Sequence, residues 1–205
     1  LFMKNVTYQS DIQNMIEIED ETYDLWICSH VLEHVADDRK ALRELRRILK
    51  PDGCGILLVP LDLSREETDE EQGCSEAENW RRFGQGDHVR AYSKKDFIAR
   101  VKECGFELES IGKEYFGNDF FKNCGLIDTS TLYIVRKNKN NAKKYWDNYN
   151  EEERTRWWHS SQVIRHFNKN VCGKSLDGWN AGGVELLKEY LHGKKIENAI
   201  SIGCG

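Results

Sequence analysis

Tyr23-Asp-Leu-Trp-Ile-Cys-Ser-His-Val-Leu-Glu-His-Val35, followed by Leu49-Lys-Pro-Asp-Gly53 and Ile56-Leu-Leu-Val-Pro60, decides the fold. The run Tyr23–Cys28 is apolar and β-prone, so it reads as a buried strand. Asp37 or Asp38 can cap a helix by accepting its first amide protons. Leu42, Leu45, Ile48 and Leu49 recur at three- and four-residue spacing and make one apolar face. Arg39, Lys40, Arg43, Arg46 and Arg47 fill the remainder, which predicts a solvated basic face rather than a nucleic-acid contact. Pro51 and Gly53 close the helix, and Gly55–Val59 is a second apolar strand. Strand, helix, strand is the crossover unit of a parallel sheet. Ligands of such sheets sit beyond the carboxyl ends of the strands, where Ser29, His30, Glu33 and His34 fall.

Outward from this unit, Asn5–Tyr8 is a short β-prone run ending at Gln9-Ser-Asp11. Asp62–Gly86 is acidic and turn-rich, and reads equally as a substrate lid or as an unstructured insertion. A helix is expected over Ser93–Glu103, then strands at Phe106–Ile111 and Thr131–Arg136. Between those strands, Gly112–Ser130 is a loop rich in Gly, Phe and Asn that could reach over the site. Arg136–Lys144 is polar, basic and without aromatics, and marks a boundary. Beyond it the chain reads as helical. Tyr145, Trp146, Tyr149, Trp157 and Trp158 are too dense for a solvated segment. Val163, Ile164, Phe167 and Val171 predict an amphipathic helix, and another is expected over Val184–Leu191. Asn198-Ala-Ile-Ser-Ile-Gly-Cys-Gly205 reads as a strand followed by a glycine turn.

The 205 residues carry a net charge of −5, which argues against a nucleic-acid-binding protein. No apolar run approaches the roughly 18 residues of a membrane span, and the first residues lack a signal-peptide pattern. A start at Leu1 rather than Met suggests a piece of a longer chain. The seven cysteines are scattered, with no CxxC pair, so buried thiols in a reducing, cytoplasmic setting are expected.

The order DLWICSHVLEHV followed by LKPDGCGILLVP resembles the second half of a class I S-adenosylmethionine-dependent methyltransferase, of the small-molecule type. That resemblance covers Asn5–Arg136 and implies a Rossmann-like α/β fold. It implies a mostly parallel sheet with an antiparallel edge made by Phe106–Ile111 and Thr131–Arg136, incomplete on its N-terminal side, with a helical C-terminal segment. Ile200-Ser-Ile-Gly-Cys-Gly205 resembles the start of the family's first motif, whose glycines let the backbone approach the cofactor. In the family this motif precedes the strand seen here at Tyr23–Cys28. We therefore expect residues 1–136 to be the back of one methyltransferase domain and 137–144 a linker. Residues 145–205 would lead into the first strand and glycine turn of a tandem second domain. A circular permutation is the rival arrangement. Ser201 stands where the family has an acidic residue, and no residue can be assigned as the ribose-binding carboxylate.

The resemblance implies S-adenosyl-L-methionine as cofactor. Asp11 would accept from the adenine amino group and Ile12 would pack on the ring, although Asp11 could instead cap the following turn. Cys28 and Ser29 would line the methionine end, and Gly203 and Gly205 would form the glycine turn. His30 and His88 are the candidate general bases, since imidazole titrates near neutrality. His34 reads as a packing or capping residue. His30-Val-Leu-Glu-His34 places two histidines four apart, but no third ligand is evident, so no metal is expected. Trp80, Arg81, Arg82 and His88 could serve an anionic or aromatic substrate, or be solvated surface. The function implied is methyl transfer to a small molecule, with sugars and lipid-linked intermediates as candidate acceptors. The alternatives are a non-catalytic binding module of the same fold and a nicotinamide-dependent oxidoreductase. Against the last, no complete Gly-x-Gly-x-x-Gly followed by an acid is present.

Overall fold

A computed structural model describes residues 8–138, 162–167 and 189–204, with 162–167 and Cys204 by their backbone alone. Expectations for Asn5–Thr7, the linker past Asn138, the aromatic run Tyr145–Trp158, Val171, Gly173–Gly183 and Gly205 fall outside the described residues.

Seven strands form one sheet: β1 (Tyr8–Ser10), β2 (Tyr23–Ser29), β3 (Leu49–Leu58), β6 (Phe106–Ile111), β7 (Leu132–Lys137), β8 (Gln162–Phe167) and β9 (Ala199–Cys204). Two short strands, β4 (Asp69–Glu70) and β5 (Arg90–Ala91), pair separately. The order across the large sheet is β1-β8-β9-β2-β3-β7-β6. β2 is parallel to both β3 and β9, whereas β8 and β7 run against their neighbours. Hence β1, β9, β2, β3 and β6 point one way, and the sheet is mostly parallel with β7 and β6 as its antiparallel edge. The strands expected at Phe106–Ile111 and Thr131–Arg136 are these two, within a residue.

Leu25 and Ile27 of β2 face one core, with Ile56, Ile134 and Tyr190. Trp26 and Cys28 face the other, with Leu42, Leu45, Phe97, Val101 and Ile202. That alternation is the strand period of two, with apolar groups on both faces because both are covered. Gly55 in β3 is dictated by Trp26, whose ring lies 2.1 Å from where a Cβ would stand. α1 (Asp38–Ile48) begins as expected, with Asp37 accepting from the Lys40 amide at 2.9 Å. α3 (Lys94–Glu103) is capped likewise by Ser93.

Two expectations are corrected. Val163, Ile164 and Phe167 are in strand, not helix: β8 is hydrogen-bonded to β1 on one side and β9 on the other, and such ladders override a local pattern that fits either period. β9 takes the slot beside β2, which Ala199–Ile202 could be expected to fill, and β8 and β1 lie beyond it. β9 is anchored where Asp24 Oδ2 accepts from the Asn198 amide at 2.8 Å, and Ile200 and Ile202 are fully buried.

The basic face of α1 is likewise not all solvated. Arg46 and Arg47 are buried. Arg46 donates to the Gly105 carbonyl at 3.1 Å. Arg47 donates to Glu44, to Asp20 and to the carbonyls of Met15 and Ile18, while Glu44 accepts from the Met15 amide at 2.8 Å. This pair sews the irregular segment before β2 onto α1. Removing one partner of a buried, hydrogen-bonded charge pair costs roughly 3–5 kcal/mol. Arg47→Ala is expected to lose that much in urea unfolding, with Arg47→Lys recovering only part, because one ammonium cannot reach all four acceptors.

Candidate functional site: the strand ends and the Leu32–Ala36 turn

The carboxyl ends of β1, β9, β2 and β3 share one edge. Ser10 lies beside Gln162 and Gln162 beside Cys204, while Cys28 lies beside Ile202 and Ser29 beside Leu58. Asp11, His30 and Gly203, which is a strand residue paired with Val163, therefore lie at one edge, as expected for the ligand edge of an open sheet. Ser29 is half-buried. A Cβ at Gly203 would have no neighbour within 4 Å among the described residues.

The other assignments fare differently. Ile12 is fully buried in the main core and presents no surface to an adenine ring. Asp11 is engaged locally: its Oδ1 accepts from the Gln13 amide at 2.9 Å and from Gln13 Nε2 at 3.1 Å, which is the turn-capping alternative. The Cys28 side chain is buried, so any ligand role would use its backbone. No disulfide joins the five cysteines whose side chains are described.

His30 closes β2 with φ +53°, a left-handed conformation that directs the chain sharply into the next turn. Its amide donates to the Leu58 carbonyl at 2.9 Å, and its side chain is 59% exposed. Nδ1 lies 3.2 Å from Glu33 Oε1. That hydrogen bond raises the imidazole above its ordinary pKa, against the opposing effect of burial. Glu33 itself is buried, and its Oε2 has no hydrogen-bond partner among the described residues.

Leu32–His34 is a single 3-10 turn, and it is held from outside. Arg90 donates to the carbonyls of Leu32, Val35 and Ala36. The Val89 amide donates to the Glu33 carbonyl at 2.9 Å. Arg90 also meets Glu70 at 3.1 Å, and Glu70 in turn binds both Nη atoms of Arg100. Arg100 and the Tyr92 hydroxyl both donate to buried Asp38, at 2.8 and 2.7 Å. Thus the acidic insertion is neither free lid nor disorder. Its β4 and the helix α2 (Glu76–Phe83) are ion-paired in place through Arg82 with Asp69 and Glu71.

This packing brings His88 onto the turn. His88 is buried and its ring meets that of His34 edge to face at 4.6 Å. Its Nδ1 lies 3.2 Å from the Phe83 carbonyl. Burial, then the neighbouring His34, push its pKa below the ordinary value. Trp80 is exposed, and Arg81 is paired with Glu78 on the solvent side of α2. Of the four residues suggested as a substrate patch, only His88 therefore joins the strand-end cluster. Glu33 and Arg90 carry no sequence motif of their own for these roles. A cavity of 410 Å³ is lined by Ala36–Arg39, Glu70–Gln72 and Arg90, and none of the strand-end residues is in it.

Residues 3–57 match the model of the methyltransferase domain family. The match covers 55 of the 205 residues. It runs from β1 into β3 and includes Asp11, Ser29, His30 and Glu33. The chain is 34% identical over 56 residues to an uncharacterized methyltransferase, YcgJ, of Bacillus subtilis; the match covers 27% of this chain and 22% of YcgJ. The crystal structure of YcgJ is similar at TM-score 0.36 and 18% identity, covering 72% of this chain and 58% of that one. An S-adenosylmethionine-dependent methyltransferase from Mesorhizobium loti is similar at TM-score 0.41 and 16% identity, covering 62% of this chain and 67% of that one. The matched sequence thus spans about a fifth of YcgJ.

Glu70 gives the site's support a pH signature. Hydrogen bonding from Arg100, then from Arg90, holds its carboxyl at about 2 instead of 4.5, against the opposing effect of burial. Its folded pKa lies below the unfolded one, so its contribution is complete above about pH 4.5 and is lost as pH falls towards 2. Unfolding free energy measured across this window should fall with acid, and more gently in Glu70→Gln.

Proposed function

We propose that this chain carries the ligand edge of an S-adenosylmethionine-dependent methyltransferase that acts on a small molecule, with sugars and lipid-linked intermediates as candidate acceptors. The supporting observation is the convergence of Asp11, Ser29, His30 and Gly203 on one edge of a mostly parallel sheet whose residues 3–57 match the methyltransferase-domain model. The site fits the cofactor in part. Gly203, where a Cβ would have no described neighbour within 4 Å, suits a close-lying ligand. Ser29 can hydrogen-bond the methionine end, and Asp11 can serve the adenine only by exchanging its bonds to Gln13.

When bound, the cofactor supplies an electrophilic methyl group on a sulfonium. His30 stands exposed at the strand end with Nδ1 held by Glu33, which leaves Nε2 to take a proton from an acceptor hydroxyl or amine. His88 is withdrawn among Glu33, His34 and Phe83, so we assign the proton-accepting role to His30 alone. The domain division at residues 137–144 belongs to the same proposal. The parallel register of β9 on β2 favours the permuted order over the tandem one. Cytoplasmic residence is part of the proposal too; no described helix is long and apolar enough to cross a membrane.

Calorimetry with S-adenosylhomocysteine on the 205-residue chain, and on one lengthened at both termini, tests this. Binding by the shorter chain is expected, lost in Gly203→Val and kept in His30→Gln, whose kcat/KM should fall about 10²-fold or more. Binding by the lengthened chain alone would overturn the permuted order. Binding by neither, or of NAD instead, would overturn the methyltransferase reading.

A further inference from the structure

Three side chains meet beneath His30 in an arrangement that proton transfer does not require. Glu33, His34 and His88 each offer a ligand atom, and these atoms lie within 4.8 Å of one another. Each imidazole already has its Nδ1 occupied: that of His34 lies 3.2 Å from Asp87 Oδ2, and that of His88 lies 3.2 Å from the Phe83 carbonyl. Such contacts fix the ring and leave Nε2 as the ligating nitrogen, the usual outer-shell arrangement of a metal-bound histidine. Glu33 shows the same division. Its Oε1 is held by His30 Nδ1, while Oε2 is buried and has no hydrogen-bond partner among the described residues.

A buried carboxylate oxygen without a donor is costly. Were the cluster only packing, either histidine could have presented an N–H to that oxygen, yet both Nδ1 atoms point to other acceptors. We infer that Glu33, His34 and His88 form a binding site for an imidazole-preferring divalent cation of the zinc type. Two histidines and one carboxylate are a known catalytic zinc ligand set, which leaves a further position for water or a ligand oxygen. Tetrahedral coordination with bonds of about 2.1 Å needs ligand atoms roughly 3.4 Å apart, so the three groups must close by up to about 1.4 Å. His34 and Glu33 are adjacent on one turn, and the Val89–Glu33 backbone bond holds His88 against them. The inference stands whether or not the chain transfers methyl groups.

The test is calorimetric titration of the metal-free full chain with Zn2+, together with the visible spectrum of its Co2+ form. We expect one cation per chain, a Co2+ spectrum of nitrogen and oxygen ligation, and affinity lowered about tenfold or more in Glu33→Gln and in His88→Gln. The histidine nitrogens of the unmodified chain provide a readout that needs no folded variant: Zn2+ should shift Nε2 of His34 and His88 in 15N spectra. Absence of stoichiometric binding, thiolate charge-transfer bands showing capture by cysteines such as Cys74, or unshifted His34 and His88 signals would each overturn the site.

Discussion

Arg90 is buried within the molecule and donates to the carbonyls of Leu32, Val35 and Ala36, of which the turn's own amides reach only that of Leu32, from Val35. A planar guanidinium suits this task because its donors diverge in fixed directions, which a lysine ammonium could not reproduce. Glu70 and Asp38 balance its charge and that of Arg100, so a two-stranded insertion, the start of α1 and the body of α3 become one polar knot. Glu33, His30 and His88 at the candidate site take their positions from this knot. The turn orients Glu33, Glu33 orients His30, and the strand that carries Arg90 delivers His88.

The same economy appears on the opposite flank, where Glu44 and Arg47 bind the irregular segment before β2. Both networks trade desolvation of ions for satisfied backbone groups in segments that lack regular structure. Such networks hold a conformation more than they add net stability. That suits a sheet edge, whose ligand groups come from loops and whose precision must come from what braces them.

The long strands β2, β3, β6 and β7, with α1 and α3, were legible because their signals are local: an apolar β-prone run at Tyr23–Cys28, a cap at Asp37, a three-four apolar spacing in Leu42, Leu45 and Ile48. β8 was not, since Val163, Ile164 and Phe167 fit a helix face as well as a strand, and only the ladders to β1 and β9 decide between them. The burial of Arg46 and Arg47 was equally hidden, because their acceptors are carbonyls at Gly105, Met15 and Ile18. At the site, His30 and Ser29 could be read from the strand end. Asp11 was ambiguous between ligand and turn cap, and the structure shows the cap. The meeting of His88 with Glu33 and His34 depends on the folding of an acidic insertion whose sequence reads as loop.

Amide hydrogen exchange on Arg90→Met tests the central claim most directly. If Arg90 braces the functional turn, the amides of His34, Val35 and Val89, which donate to Val31, Leu32 and Glu33, should exchange at least about tenfold faster. Those of Ile27 and Ile56 in the parallel core should keep their protection. Unchanged exchange in the turn, or an equal loss throughout the sheet, would contradict the account.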